Sequence, residues 1–198
     1  TIKFSTNGVE RFAITNSGIS GDGSGLTGLT PGITVADAWM VTSSFTNPNQ
    51  NSGFIAADWS RVSLSESGNI GSAINQYGGT FAFNQTGIYL LIGCVGCHVT
   101  SGGRDRYVQA QFRTGTGGHN GSFSQRTSHY TNLGAEYSTT HGSVITTYLF
   151  DATNTGAANA GTVDCFRLYT SSENSSTIVK GDSSTFQTYI IAIRLGDT

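Results

Sequence analysis

Residues 79–93 decide the fold of this chain, and they read GTFAFNQTGIYLLIG. Phe81 and Phe83 alternate with small residues, which is the period-two pattern of a β-strand. The polar residues 84–87 have the composition of a turn. Residues 88–92 are then apolar without a break, whereas a half-buried strand alternates. This second strand is therefore predicted to be covered on both faces.

Another strand near the C-terminus shows the same excess of apolar residues. It reads Tyr189-Ile190-Ile191-Ala192-Ile193 and is apolar on both faces. Two doubly covered strands in one β domain indicate that they lie side by side in one sheet. One face of that sheet would pack on the core, and the simplest cover for the other face is another copy of the chain.

The composition is that of an all-β chain. Charged residues make up 11% of the 198 residues, well below the roughly 25% of an ordinary soluble protein. Glycine occurs 27 times and proline only 2 times, which is typical of many short strands joined by small-residue turns. No long segment combines helical periodicity with helix caps, so helix is expected to be minor.

The charge and the apolar pattern exclude several classes of partner. The net charge is -2, so the chain lacks the positive patch by which proteins bind nucleic acid or anionic membranes. No apolar run is long enough to span a bilayer, so membrane insertion is not expected either. The 3 cysteines cannot all pair within one chain, so the fold is not a disulfide scaffold.

The N-terminal part of the chain differs from the remainder. Residues 2–4 and 9–14 read as short strands separated by a polar turn. Two strands of this length cannot bury a core of their own. We place a boundary at residues 28–32, which divides the chain into a shaft or neck segment, residues 1–32, and a head domain, residues 33–198.

The N-terminal segment resembles the shaft repeats of phage tail fibres and related trimeric virion proteins. Those repeats carry the phrase F-x-x-x-G-x-x-R-F-x-I-x-x-x-G, followed by G-x-G-S-G-L-T-x-L. The matching residues here are Phe4, Gly8, Arg11, Phe12, Ile14, Gly18 and residues 23–29. The resemblance implies a location in the virion, with other virion proteins as partners through the N-terminal shaft.

The head domain resembles the C1q/TNF-like jelly roll. Phe81, Gly87 and Tyr89 match the family signature F-x5-G-x-Y-x-F, with Leu91 in place of the final Phe. Two stretches near the C-terminus, residues 161–168 and 184–191, resemble later strands of the family.

The resemblance covers roughly residues 35–195, and Thr188 stands where the family usually has glycine. It implies a ten-stranded, two-sheet jelly-roll sandwich that assembles as a compact homotrimer. The collagen-like stalk of animal members is absent, and a β-rich shaft segment precedes the domain instead. This difference favours a virion fibre.

The resemblance and the apolar strands together indicate the residues of the core and of the trimer interface. They are Phe81, Ile88, Tyr89, Leu90, Leu91, Phe186, Tyr189, Ile190 and Ile191. The pattern leaves open which alternating set of side chains fills the sandwich and which lines the three-fold axis.

Residues 94–98, CVGCH, have the C-x-x-C-H pattern of c-type haem attachment. Residues three apart in an extended strand point to opposite faces, so the two thiols would not reach the same side of a porphyrin. We interpret both cysteines as small core or interface residues.

Other patterns that suggest chemistry are also incomplete. Residues 23–28 fit G-x-G-x-x-G, but Pro31 follows too soon for the helix that a dinucleotide site needs. The 4 histidines lack the spacing of a metal site, and no G-x-S-x-G elbow is present. The sequence therefore predicts no catalysis, no metal and no cofactor.

A binding function would lie in the loops of the head. Antiparallel strands place successive loops at alternate ends of a sandwich. If the C-terminus lies at the shaft end, as the resemblance implies, then loops 98–106, 131–142 and 171–184 are distal. The receptor-contact candidates in these loops are Arg104, Arg106, Tyr137, Glu173, Lys180 and Asp182. Asp105, between two arginines, is expected at a solvated hairpin tip.

These inferences lead to a structural and adhesive virion protein, whose trimeric head attaches a phage tail fibre to a glycan or protein of the host surface. Three copies of each contact would give avidity. One alternative is a trimeric capsid or tail decoration protein that stabilises the particle and binds no receptor. A further alternative is a secreted C1q-like lectin or signalling ligand.

Overall fold

The computed structural model describes residues 2–6, 9–15, 18–20, 32–46, 53–56, 58–63, 68–71, 74–99, 104–134 and 139–197, the first three ranges as backbone only. The chain divides into two compact units, residues 1–32 and residues 33–198. The described residues contain no α-helix, and a short 3-10 turn lies at Gly118–Asn120.

The N-terminal unit is an antiparallel sheet of three strands in the order β1-β2-β3. They are β1 (Ile2–Thr6), β2 (Val9–Thr15) and β3 (Gly18–Ser20). The first two strands pair with Phe4 opposite Phe12, and the register shifts after Phe4. The third strand was not expected from the sequence, because three residues between glycine-rich turns carry too little apolar pattern to predict a strand.

The C-terminal unit is a sandwich of two antiparallel sheets, which we call the front sheet and the back sheet. The front sheet has the order β5-β16-β10-β17-β4-β7, and β14 pairs with the other edge of β10. Its strands are β4 (Ala36–Val41), β5 (Ser43–Thr46), β7 (Trp59–Arg61), β10 (Gly87–Val99), β14 (Thr140–Ala152), β16 (Ile178–Asp182) and β17 (Tyr189–Gly196).

The back sheet has the order β12-β11-β15-β9-β8, with β13 also on β11 and β6 also on β15. Its strands are β6 (Gly53–Phe54), β8 (Asn75–Tyr77), β9 (Thr80–Ala82), β11 (Arg104–Thr116), β12 (Ser122–Gln125), β13 (His129–Gly134) and β15 (Asp164–Ser172). The predicted fold class, an all-β two-sheet sandwich, is confirmed, but the described residues of this unit form 14 strands, β4 to β17, instead of the expected ten, because short segments such as β6 and β7 pair as separate strands.

Aromatic side chains fill the space between the two sheets. Phe81 stacks on Phe166 with ring centroids 5.4 Å apart, and Trp59 meets the Phe81 ring edge-on at 5.1 Å. Tyr89 and Leu91 of the front sheet are fully buried in the same cluster. Each such side chain contributes about 1.5–3 kcal/mol by leaving water, so this cluster is the main source of the sandwich's stability.

The hairpin between β8 and β9 turns through Gly78 and Gly79, with φ of 51° and 76°. Positive φ at both positions is the geometry of a tight two-residue hairpin, which glycine adopts without strain. A Cβ on Gly79 would lie 2.1 Å from the Ile55 carbonyl oxygen, and one on Gly78 would lie 2.8 Å from Cε1 of His119. The turn therefore lets two neighbouring segments approach the hairpin closely.

Strand β16 corrects one expectation from the sequence. Residues 171–184 were predicted to form a loop, but Ile178–Asp182 pairs with β5 along one edge and with the end of β10 along the other. Its sequence, IVKGD, has two apolar residues followed by loop-forming ones. The strand depends on partners that are distant in the chain, so a local pattern does not indicate it.

Candidate interaction surfaces

Strand β10 presents two different faces. Its odd-numbered residues, such as Tyr89 and Leu91, are fully buried between the sheets. Its even-numbered residues point away from the sandwich, and of these Ile88, Leu90, Ile92 and His98 are half-buried. Strand β17 pairs antiparallel with β10, as expected from the sequence, so the apolar residues of the two strands adjoin one another.

The outward side of the front sheet is a broad apolar surface, which we call the outer front face. Its members include Ile88, Leu90 and Ile92 of β10, Tyr189, Ile191 and Ile193 of β17, and Ile145 and Leu149 of β14. Ile145 and Leu149 are 53% and 60% exposed. The members named above are all uncharged, and charged groups lie towards the two ends of the face, Asp151 at one and Lys180 at the other. Patches of this kind mark interaction sites.

The predicted core and interface residues divide between the two sides of the front sheet. Phe81, Tyr89, Leu91 and Ile190 are fully buried in the core. The outward set is Ile88, Leu90, Tyr189 and Ile191, which are half-buried. Phe186 is 38% exposed and packs edge-on against Tyr189 at 5.2 Å. The alternation that the sequence left open is thus resolved: odd-numbered residues of β10 face the core.

One end of the outer front face is basic. The rings of His98 and His141 lie 5.4 Å apart on paired positions of β10 and β14. Partial burial lowers the pKa of His98, and the nearby Lys180 and His141 lower it further. Lys180 lines a shallow pocket here with Cys94 and other residues. Acidification would therefore place positive charge beside an otherwise apolar surface.

The end of the sandwich at the start of β11 carries a polar cluster, which we call the rim. The carboxylate of Glu173 accepts hydrogen bonds from the Arg106 backbone nitrogen at 3.0 Å and from Arg106 Nε at 2.5 Å. This pairing holds the pKa of Glu173 below its usual range. Arg104, Asn174 and Ser175 complete the lining of a polar depression. Three predicted receptor-contact residues, Arg104, Arg106 and Glu173, therefore lie together.

The other predicted contact residues do not join this cluster. Lys180 and Asp182 belong to strand β16 of the front sheet, which corrects their predicted place in a loop, and Lys180 lines a pocket on the outer front face. The Asp182 carboxylate accepts hydrogen bonds from the backbone nitrogen and hydroxyl of Ser184 at 2.7 and 2.6 Å, so it stabilises a turn. Tyr137 lies outside the described residues.

Asp105 also differs from its predicted solvated position. It is 1% exposed, and one carboxylate oxygen accepts a hydrogen bond from the backbone nitrogen of Asn174 at 2.6 Å. Burial raises the pKa of this carboxyl. Arg104 and Arg106 are exposed on the opposite side of the strand, because strand side chains alternate. Two charged neighbours therefore did not mean that Asp105 itself is in solvent.

The cysteines are buried free thiols. Cys97 points inward with Val99 and Leu133, whereas Cys94 lies on the opposite side of β10 near Tyr189. The two thiols therefore lie on opposite faces, as the strand geometry predicts. Burial raises the pKa of Cys97 to about 12 and that of Cys165 to about 11. No group of three or more potential metal ligands occurs among the described residues.

One further site, on the outward side of the back sheet, was not predicted from the sequence. There Arg167 is 7% exposed and lies between the rings of Phe54 and Phe123. These three residues come from β15, β6 and β12. A local pattern cannot indicate such a site, because three separate elements form it.

In the part of the chain that the structure describes, no helix is long and apolar enough to cross a membrane.

Comparison with known proteins adds support for the fold. Neither a protein-family model nor a curated protein matches the sequence. The crystal structure of murine APRIL at pH 5.0 matches with a TM-score of 0.54 at 13% identity, over 81% of this chain and 98% of that one. The structure of Eiger TNF from S. frugiperda matches with a TM-score of 0.54 at 10% identity, over 84% of this chain and 95% of that one. The head is thus a TNF-like jelly roll.

Proposed function

We propose that this chain is a non-enzymatic, trimeric virion protein whose head attaches a phage tail fibre to the host surface. The observation that carries the proposal is the outer front face. A monomer would leave this apolar surface in water, whereas a second and third copy would cover it. In the proposed trimer, Leu90, Ile92, Ile191 and Ile193 lie at the three-fold interface.

The assignment to a virion rests on the N-terminal segment. Its sequence resembles phage fibre shaft repeats over residues 4–29. The segment would join the head to other virion proteins, and the head would lie on the particle surface. The TNF-like fold is compatible with this role because folds of this class serve as ligand domains as well as structural ones.

The rim is the proposed host-contact region. Arg104 and Arg106 are exposed, and Arg106 is held in place by Glu173. A guanidinium group suits the binding of carboxylates or phosphates on a bacterial surface, because it offers paired donors in a planar arrangement. Three copies in one trimer would convert weak contacts into useful avidity.

The oligomeric state tests the interface. Light scattering of the purified chain should give about three times the chain mass of 20.8 kDa. A monomer at low micromolar concentration would overturn the interface and with it the trimeric head.

Binding to host cells tests the attachment role. The purified trimer should bind host cells, and Arg104→Gln combined with Arg106→Gln should reduce that binding. Arg126→Gln is a matched control, since Arg126 is exposed and contacts Thr114 towards the other end of β11. If the wild-type trimer assembles but binds no cells, a capsid or tail decoration protein becomes the better assignment.

A secreted ligand is the remaining candidate, and the TNF-like fold favours it over an enzyme. The full reading frame separates it from the virion roles. A secretory signal upstream of residue 1 would favour secretion, whereas further shaft repeats would favour a fibre.

A further inference from the structure

We infer that the outward side of the back sheet holds a second ligand site, for a sugar residue that carries a carboxylate. The inference rests on the proposed attachment function and names a ligand class for it, at a place distinct from the rim. The site consists of Arg167, the Phe54 and Phe123 rings on either side of its guanidinium, the His119 ring beside it, and Tyr77, which packs on His119. We call it the Arg167 site.

The guanidinium of Arg167 is held firmly. Its carbon lies 4.0 Å from the centre of the Phe54 ring and 3.9 Å from that of Phe123. Nε donates to the Thr80 hydroxyl at 2.8 Å, and Nη2 donates to the His119 carbonyl oxygen. Arg167 Nη1 has no hydrogen-bond acceptor among the described residues, so one nitrogen of a rigid group remains available.

Among the described residues, no carboxylate pairs with the charge of Arg167. Arg167 is 7% exposed, yet it forms no ion pair with any carboxylate in the described ranges. Its direct partner across the strands, Arg113, is also cationic and lies over the Tyr169 ring at 4.1 Å. Like charges at paired positions destabilise a sheet, and a buried charge without a counter-ion is costly. Cation–π contacts offset part of this cost, and an anionic ligand would offset more.

The rings favour a sugar over a simple anion. Tyr77 is 53% exposed and meets the His119 ring edge-on at 5.2 Å, and His119 meets Phe54 at 6.2 Å. Half-exposed aromatic rings offer apolar faces together with polar edges, which suits a ligand that is apolar on one side and polar on the other. A sugar ring presents C–H groups on its faces and hydroxyl groups on its rim. In this proposal the sugar ring lies against Tyr77, which packs on the His119 ring, and its carboxylate pairs with Arg167, whose Nη2 lies 3.5 Å from Nδ1 of His119.

The backbone fixes this geometry before a ligand binds. The Gly78–Gly79 turn brings Tyr77 and Thr80 together as paired residues, and Thr80 Oγ1 lies 3.1 Å from His119 Nδ1. The absence of a side chain on Gly78 leaves room for the His119 ring. A site whose side chains are already held loses little entropy on binding.

A matched pair of sugars tests the site on the complete chain. Glucuronic acid and glucose have the same ring and differ in a carboxylate, and acetate supplies a carboxylate without a ring. Ligand-observed NMR titrations should show saturable binding of glucuronic acid and markedly weaker binding of glucose and acetate. Equal binding of glucose would overturn the role of charge, and equal binding of acetate would overturn the role of the rings.

Two substitutions locate the binding. Tyr77→Ala should weaken glucuronic acid binding by about ten-fold, the effect of losing a good aromatic contact. Tyr130→Ala is the control, since Tyr130 is 61% exposed on β13 of the same sheet and outside the site. Arg167→Gln, checked for folding by circular dichroism, should abolish the preference for glucuronic acid over glucose.

No binding of glucuronic acid, or equal loss in the Tyr77 and Tyr130 variants, would overturn the Arg167 site. Either result would leave the trimer mass and the rim-dependent cell binding unchanged. Failure of this inference is therefore distinguishable from failure of the proposed function.

Discussion

Leu90 on β10 and Ile193 on β17 are directly paired on adjacent strands of the front sheet, and both side chains are on its outward side. Their chain neighbours Tyr89 and Ala192 are fully buried on the inward side. Two adjacent strands thus carry apolar side chains on both faces. A charge on the outward face is expected to prevent assembly, whereas a charge on the inward face is expected to prevent folding.

The first prediction compares a substitution on each face. Leu90→Asp should give a folded monomer, because the new carboxylate is hydrated in a monomer but buried without a partner in a trimer. Ile190→Asp should prevent folding, because it places a charge in the core at a cost of about 4 kcal/mol or more. Light scattering measures assembly, and circular dichroism measures folding. A trimeric Leu90→Asp variant would show that this face is not the interface.

The second prediction concerns the β8–β9 turn. Gly79→Ala should lower the free energy of unfolding by about 2–4 kcal/mol, because it forces positive φ on alanine and brings its Cβ against the Ile55 carbonyl oxygen. Gly161→Ala is the control, since a Cβ there meets no atom within 4 Å. Urea unfolding of both variants measures the difference. Similar stability of the two variants would contradict the geometry described for the turn.

The third prediction concerns the thiols. Cys97 and Cys165 should resist alkylation by iodoacetamide at pH 8 in the native protein, because burial keeps them protonated and inaccessible. All 3 cysteines should react after denaturation. Cys94 is 5% exposed in the single chain, at the shallow pocket of the outer front face, so it should react slowly in the Leu90→Asp monomer and more slowly still in the trimer. Mass spectrometry identifies each labelled site, and rapid native labelling of Cys97 would refute the burial argument.

The fourth prediction concerns acid. The unfolded chain binds a proton at His98 near pH 6.5, whereas in the folded head burial lowers the pKa of this group. The unfolded state then binds more protons below pH 6.5, so the free energy of unfolding falls as the pH drops through that value. The free energy of unfolding stops falling once the pH is below the pKa of His98 in the folded head.

Urea unfolding at several pH values measures this dependence. His98→Gln should make it shallower, and His129→Gln, an exposed position on β13, is the control. A steeper pH dependence in the His98→Gln variant would mean that protonation of His98 stabilises the folded state, which is the opposite of the prediction.

The spacing of Phe81, Gly87 and Tyr89 led to the fold through its resemblance to the C1q/TNF-like signature, whereas the residues alone indicated only a strand, a turn and a second strand. It was not sufficient to tell the two faces of β10 apart. Ile88 to Ile92 are apolar at every position, and only the packing of the back sheet determines which set is covered. Local sequence carries no information on that choice.

The candidate sites show the same limit. Arg104, Arg106 and Glu173 could be predicted to approach each other, since loop parity places strand ends together. Lys180 could not be placed, because β16 exists through pairing with β5 and β10. The Arg167 site depends on side chains contributed by separate strands and a 3-10 turn. Its residues lie far apart in the sequence, and only tertiary structure brings them together.

The outer front face has a consequence for how this protein is made and stored. If three copies cover it, folding and assembly are linked by mass action, and the melting temperature should rise with protein concentration. A newly synthesised chain would expose Leu149 and Ile145 on the long edge strand β14 until partners arrive, which is a hazard for aggregation. The yield of assembled protein would then depend on the concentration of newly synthesised chains as well as on the stability of each chain.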